Sequence, residues 1–176
     1  MNRISFSETQ RFRTWWAWGA VLLMNILFLY AIIQQIILGK PFGNKPAPDY
    51  ILIVVELFLF VLFLLLISIK LKTRIADEGI YYRFYPFHRR ERFIGWNVLS
   101  DAYMREYNSF HEYGGWGIRT GSLQTGNAIN TSASSKTGLQ LRFTDGRLLL
   151  VGTSRPEEVA AIIKEITAAG KLSRNG

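Results

Sequence analysis

The amino-acid sequence predicts an α+β membrane protein, in which a hairpin of two transmembrane helices precedes a small domain of antiparallel strands. Residues 51–69 read ILIVVELFLFVLFLLLISI, an apolar run that has Glu56 as its only charge and no polar face. As a helix this run would extend roughly 28 Å, close to the thickness of a bilayer's hydrocarbon core. A second apolar run lies upstream, and short segments typical of strands follow from Lys70 onward.

The upstream run, residues 17–38, is the predicted first span. Residues 7–10, SETQ, fit the capping pattern Ser/Thr-x-x-Glu/Gln, so the sequence predicts that the first helix begins there. Trp15, Trp16 and Trp18 stand where an interfacial aromatic belt is expected. A cleaved signal peptide is the alternative interpretation, but the run is too long for an h-region and no Ala-x-Ala site follows it.

Residues 39–49, GKPFGNKPAPD, cannot continue a helix because they contain two glycines and three prolines. The two spans, about 15–38 and 50–71, are therefore predicted to form an antiparallel hairpin. Basic residues flank the hairpin at both ends, whereas the connecting loop holds only two lysines, and the positive-inside rule then places both termini in the cytoplasm. The predicted membrane-interface residues are Arg11, Arg13, Trp15, Trp16, Trp18, Lys70, Lys72 and Arg74.

The remainder of the chain, residues 73–176, predicts a domain of several antiparallel strands closed by one C-terminal helix. Asp145-Gly146 between two alternating segments is a strong hairpin signal. Residues 154–157, SRPE, fit a second capping box, with proline in the first turn of the helix. The helix presents one apolar face, and its members follow at helical spacing: Val159, Ile162, Ile163 and Ile166.

Four segments together resemble a family of small, uncharacterised bacterial membrane proteins that carry two membrane helices and a pleckstrin-homology-like domain. The segments are ETQRFRTWW at 8–16, GIYYR at 79–83, YGGWGIR at 113–119, and the stretch from Asp145-Gly146 to RPEE at 155–158. The resemblance covers almost the whole chain, departs from the family around 132–137, and is most specific at GGWGIR. It implies a curved antiparallel sheet or split barrel capped by a helix, facing the cytoplasm from the bacterial inner (plasma) membrane, and it implies no known activity.

Composition excludes several functions. The chain has no cysteine, so disulfides, thiolate catalysis, Cys-type zinc sites and lipidation at cysteine are all excluded. Its net charge is +8, but the basic residues are scattered among acids without a continuous stripe, and nucleic-acid binding is not expected. The two histidines lie far apart, and no nucleotide-binding or hydrolase motif is present. We therefore expect no metal, no cofactor and no enzymatic activity.

Two surface sets are candidates for binding. Tyr113, Trp116 and Arg119 form an aromatic and basic set typical of protein interfaces, although Trp116 filling the core of the sheet is an equally ordinary interpretation. The densest positive cluster contains Arg89, Arg90 and Arg92; it is a candidate for contact with lipid head groups, or else an ordinary exposed hairpin.

Polar residues inside the spans are Glu56, Gln34, Gln35 and Asn25, and an antiparallel hairpin is expected to place Gln34 and Gln35 near the depth of Glu56.

The sequence is consistent with two different functions. The first is a membrane-anchored, non-catalytic interaction module whose partners are membrane lipids and either another protein or further copies of itself. The alternative is a membrane-embedded enzyme, transporter or sensor that uses Glu56 and the neighbouring polar residues. The ordinary interpretation of Glu56 is that it is a hydrogen-bonded packing residue.

Overall fold

A computed structural model of the chain describes residues 4–12, 14–122, 124–131 and 136–172, with only the backbone described at 4 and 5. These residues form two compact units. One unit is Thr14–Ser68, and the other combines the described residues before Thr14 with those from Ile69 onward. Arg13 and most of the polar loop at 132–137, namely 132–135, lie outside the described residues.

The first unit is a helical hairpin. Helix α1 (Trp15–Ile32) continues as a short π-helix (Ile33–Ile37), and α2 is Asp49–Ser68. The two helices are antiparallel, because Trp18 near the start of α1 contacts Phe63 near the end of α2, with ring centroids 5.9 Å apart. Both segments are long and apolar enough to cross a membrane, and only 11% of each apolar window is buried within the structure. The second helix ends at Ser68, three residues before the predicted limit.

The prediction of a helix beginning at residues 7–10 is wrong. This segment lies in strand β1 (Ile4–Arg11), which pairs antiparallel with β2 (Lys70–Ala76). Burial alternates along β1, because Phe6, Glu8 and Gln10 are buried whereas the residues between them are exposed. This period of two is the pattern of a half-buried strand, and pairing with β2 prevailed over the local capping signature. The sheet unit thus includes the N-terminal strand and resumes at Ile69, rather than starting at 73.

The second unit contains two open sheets. The first sheet contains β1, β2, β3 (Gly79–Tyr85) and β4 (Arg92–Gly95) in that order and is antiparallel throughout the described residues. The strands of the second sheet are β5 (Leu99–Glu106), β6 (Gly117–Thr120), β7 (Asn127–Asn130), β8 (Thr137–Phe143) and β9 (Leu148–Gly152). Their order is β5-β8-β9-β7-β6, and among the described pairs only β7 and β9 are parallel. Within the described residues neither sheet closes into a barrel.

Two helices and one turn complete the unit. They are α3 (Ser109–Tyr113), α4 (Pro156–Ala168) and a short 3-10 turn, Trp96–Val98, that precedes β5.

One hydrophobic core joins both sheets to α4. Leu71 and Ile80 of the first sheet and Leu141 of the second are fully buried in the same cluster as the apolar face of α4. The predicted face is confirmed, because Val159, Ile163 and Ile166 are buried and Ile162 is partly buried against the cluster. The hairpin turn at Asp145-Gly146 is also confirmed, since it connects β8 to β9.

The predicted capping box at Ser154 does not form. No side chain caps α4; instead the Ser154 hydroxyl and backbone N–H donate to one oxygen of Glu8, at 2.5 and 2.9 Å. The Thr153 hydroxyl donates to the other Glu8 oxygen at 2.7 Å. Glu8 is only 6% exposed, and its carboxylate connects β1 to the segment between β9 and α4 through these short hydrogen bonds.

Candidate interaction surface

The segment around GGWGIR is a short helix, a glycine turn and an edge strand. The Asn108 side chain accepts from the backbone N–H groups of Phe110 and His111, which is an N-cap for α3. Gly114 ends the helix in the left-handed conformation at φ 67°. The strand β6 begins at Gly117, after the turn that Gly114 and Gly115 form.

Trp116 lies at the centre of an aromatic cluster. Its ring makes edge-to-face contacts with Phe12, at a centroid distance of 5.6 Å, and with Phe110, at 5.0 Å. Phe12 is buried, Trp116 is half-buried, and Phe110 is 53% exposed, so the cluster extends from the interior to the surface. Ile118 on β6 is 47% exposed. The register pairs Ile118 with Ile129 and Arg119 with Ala128, so Ile118 lies on the opposite face of β6 from Arg119. We call Phe110, Trp116 and Arg119 the aromatic patch.

Arg119 is held over the turn that precedes its strand. Its Nε donates to the carbonyl oxygen of Trp116 at 2.7 Å. A Cβ atom at Gly115 would lie 3.1 Å from the Arg119 guanidinium, and Gly115 has a φ of 131° that other residues rarely adopt. Glycine at 115 therefore allows Arg119 to fold against the turn, and its charge stays at the exposed border of the aromatic patch.

Tyr113, the third member of the predicted set, is not at the surface. It is 5% exposed, its hydroxyl donates to the carbonyl oxygen of Thr125 at 3.1 Å, and it accepts from Arg105 at 2.8 Å. Arg105 also forms a 2.7 Å salt bridge with Glu112. Burial raises the pKa of the Tyr113 phenol, which keeps its proton available for Thr125. Tyr113 thus supports α3 from below and does not form part of the aromatic patch.

A depression of about 510 Å³ adjoins the patch at Phe110. Its lining combines apolar rings with the carboxylate of Glu106 and the ammonium of Lys136, so it offers a site for a side chain with both apolar and polar parts. Sequence reasoning did not identify Phe110, Ile118 or this depression. Single apolar residues at the surface have no periodic signal, and the depression depends on strands that are distant in sequence.

Arg89, Arg90 and Arg92 are exposed at and just before the start of β4. His88 beside them is buried, and its Nδ1 accepts from the Phe84 backbone N–H at 3.2 Å. Burial, with a smaller contribution from the positive charge of Arg92, lowers the pKa of His88. The ring therefore stays neutral near pH 7 and adds no positive charge to the three arginines of this turn.

The predicted membrane-interface residues are divided between the two units. Trp15 and Trp16 are exposed on the first turn of α1, and Trp18 packs on Phe63. Arg11 belongs to β1, and Lys70, Lys72 and Arg74 alternate along β2. Whether these residues contact a membrane stays a prediction.

The polar residues of the hairpin are arranged differently from the expectation. Gln35 donates to Asp49 at 2.6 Å and to the Ala47 carbonyl oxygen at 2.7 Å, so it lies at the loop end of the hairpin, together with the adjacent Gln34, and not level with Glu56. The register that pairs Trp18 with Phe63 instead places Asn25 level with Glu56, because Asn25 lies seven residues after Trp18 and Glu56 lies seven residues before Phe63. Asn25 donates to Val21 of its own helix, and both Asn25 and Glu56 are buried between the helices.

The protein belongs to the α+β class. Along the chain, the apolar helical hairpin interrupts the sequence of the two-sheet unit. Over the described part of the chain, no group of three or more His, Asp or Glu side chains is placed to hold a metal ion. Residues 2–168 match the model of a family of unknown function, DUF6141, and the chain belongs to that family. No curated protein and no solved structure matches the chain.

Proposed function

We propose that the protein is a membrane-anchored interaction module that binds a partner protein, or a second copy of itself, through the aromatic patch. The carrying observation is the exposed Phe110 ring, which contacts Trp116 beside Arg119 on β6, an edge strand of its sheet. Aromatic residues and arginine are enriched at protein interfaces, and an edge strand leaves backbone hydrogen-bonding groups for a partner. The neighbouring depression would receive a side chain of that partner.

The membrane anchor is part of the proposal. A core helix of a soluble protein is mostly buried, whereas the apolar windows here are almost entirely uncovered, and an aqueous environment would penalise that exposed surface. The hairpin is proposed to span the bacterial inner membrane with both termini in the cytoplasm. The two-sheet unit is proposed to be pleckstrin-homology-like, supported by its two open sheets and the C-terminal helix packed on their core.

The alternative, a membrane-embedded enzyme, transporter or sensor, is favoured by one observation. The Glu56 Oε2 atom is buried and has no hydrogen-bond partner within the described residues. Two helices do not enclose a path across a membrane without forming an oligomer, so this alternative needs an additional assumption that the interaction module does not need.

Combining Phe110→Ala with Arg119→Gln should remove the specific crosslinked species that the protein forms in native membranes, because both side chains are exposed members of the patch. Chemical crosslinking followed by affinity purification and mass spectrometry identifies these species, whether a heterologous complex or a dimer of the chain. A loss of about tenfold or more is expected, since interface anchors commonly contribute 2 kcal/mol or more.

Phe87→Ala combined with Arg142→Gln is the matched control, because these residues are similarly exposed but outside the patch. The control should retain every species. If the patch variant also retains them all, and Glu56→Gln alone abolishes the cellular phenotype of the gene, the interaction module is contradicted and membrane-embedded chemistry is the better account.

A further inference from the structure

The outer face of the first sheet carries a cluster of positive charges. Lys70, Lys72 and Arg74 alternate along β2 with residues that are buried in the sheet unit. The register places Tyr85 opposite Lys70, and Arg83 opposite Lys72. Side chains directly opposite one another on neighbouring strands lie close together on the same face. The pairing of β2 with β3 therefore collects three cations, those of Lys70, Lys72 and Arg83, around one aromatic ring.

These residues surround a concavity of about 200 Å³ that is lined by Lys70, Lys72, Arg83 and Tyr85. The Lys70 ammonium lies 4.9 Å from the centroid of the Tyr85 ring, and the Arg83 guanidinium lies 5.7 Å from it. Arg83 Nε donates to the His88 carbonyl oxygen at 3.1 Å, which fixes the guanidinium group. We call this concavity the basic cradle.

Among the described residues, no acidic side chain neutralises the positive charge of the basic cradle. In the described parts of the chain, no Asp or Glu lies within salt-bridge distance of Lys70, Lys72 or Arg83. Arg74 on the same strand differs, because it pairs with Glu91 at 3.4 Å. Three neighbouring cations repel one another, and a bound anion would relieve that repulsion.

We propose that the basic cradle binds the phosphate of an anionic phospholipid head group. Arginine presents a planar fork of donors that fits phosphate oxygens, and lysine contributes a compact charge. The lipid is the favoured source of phosphate because Lys70 follows Ser68, the last residue of the apolar helix α2, by only two residues along the chain. This inference shares with the proposed function only the membrane span and does not involve the aromatic patch.

The cradle differs from the cluster that the sequence suggested for head-group contact. Arg89, Arg90 and Arg92 are adjacent along the chain, whereas the cradle depends on strand register and includes Arg83 and Tyr85, which the sequence did not indicate as a site. Lys70 and Lys72 were predicted to lie at the membrane interface, and the cradle gives them a specific ligand chemistry.

Acylation footprinting of lysines in the full-length protein tests the proposal. The protein is reconstituted into nanodiscs of phosphatidylcholine alone or of phosphatidylcholine with phosphatidylglycerol, and the acylation rate of each lysine is measured by mass spectrometry. With phosphatidylglycerol, Lys70 and Lys72 should react about fivefold more slowly, as expected for an anionic surface contact. Lys164, exposed on α4, is the internal reference and should change much less.

Arg83→Gln should restore most of the reactivity of Lys70 and Lys72, whereas Arg142→Gln, which removes an exposed charge from β8, should not. Arg83→Lys keeps the charge and should retain the protection, and circular dichroism verifies that the variants are folded. Equal rates in the two kinds of nanodisc, or equal effects of Arg83→Gln and Arg142→Gln, would overturn the proposal. Equal protection by glycerol phosphate in phosphatidylcholine nanodiscs would overturn the lipid as the source and indicate a soluble phosphate ligand.

Discussion

Ile163→Asp should unfold the two-sheet unit. Ile163 is buried in the cluster that joins α4 to both sheets. The substitution therefore removes apolar burial and places a carboxylate among the hydrophobic side chains of that cluster. The combined cost is about 5 kcal/mol, which is comparable to the total stability of many domains. Helix α4 would lose its contacts with the sheets, and their common core would be exposed to solvent.

Limited proteolysis and hydrogen exchange of the full-length protein in detergent measure this effect. The expected result is rapid cleavage and exchange from Ile69 onward. Lys164→Asp is the matched control, because it introduces the same carboxylate at the adjacent but exposed position of α4. If Ile163→Asp is as protected as Lys164→Asp, α4 does not pack on the sheets as described.

Glu8→Ala should have the second largest effect on stability. The substitution removes the Glu8 acceptor from the buried hydroxyl of Thr153 and from the partly buried backbone N–H of Ser154. Loss of the partner of a buried donor costs about 1–3 kcal/mol, and less where water can replace it, so a loss of about 2 kcal/mol is expected. The effect should be greatest at β1, because Glu8 connects that strand to the segment before α4.

Denaturant unfolding monitored by tryptophan fluorescence provides the measurement, and hydrogen exchange shows whether β1 separates first. Glu165→Ala removes a carboxylate from an exposed position of α4 and should change stability by less than about 0.5 kcal/mol. A Glu8→Ala variant as stable as Glu165→Ala would mean that the buried hydrogen bonds contribute nothing, and that β1 is held by strand pairing alone.

The sequence was sufficient for elements whose pattern is long and unambiguous. The run 51–69 is apolar over its whole length, and the face that includes Val159 and Ile163 repeats the helical period over several turns, so they predicted α2 and the packing of α4 correctly. The segment 7–10 is different, because its residues fit both the pattern of a capping box and the alternation of a half-buried strand. The strand it pairs with lies some sixty residues further along the chain, and no local pattern contains that pairing.

The candidate surfaces were predictable only in part. Trp116 and Arg119 were identified from composition, but the burial of Tyr113 depends on Arg105 and Thr125, which the fold brings from other segments. Similarly, the basic cradle requires the register that aligns Lys72 with Arg83, which the sequence does not reveal. Spacing along one strand predicts which residues share a face, but not which residues of the next strand lie beside them.

The central claim is that the two apolar helices span a membrane and leave the two-sheet unit in the cytoplasm. Because the chain contains no cysteine, Asn44→Cys in the loop and Lys164→Cys on α4 each provide a single thiol. A membrane-impermeant maleimide applied to intact cells, or to spheroplasts where an outer membrane is present, should label Asn44→Cys at once and Lys164→Cys only after permeabilisation. Labelling of Lys164→Cys in the intact preparation, with Asn44→Cys protected, would contradict the claim.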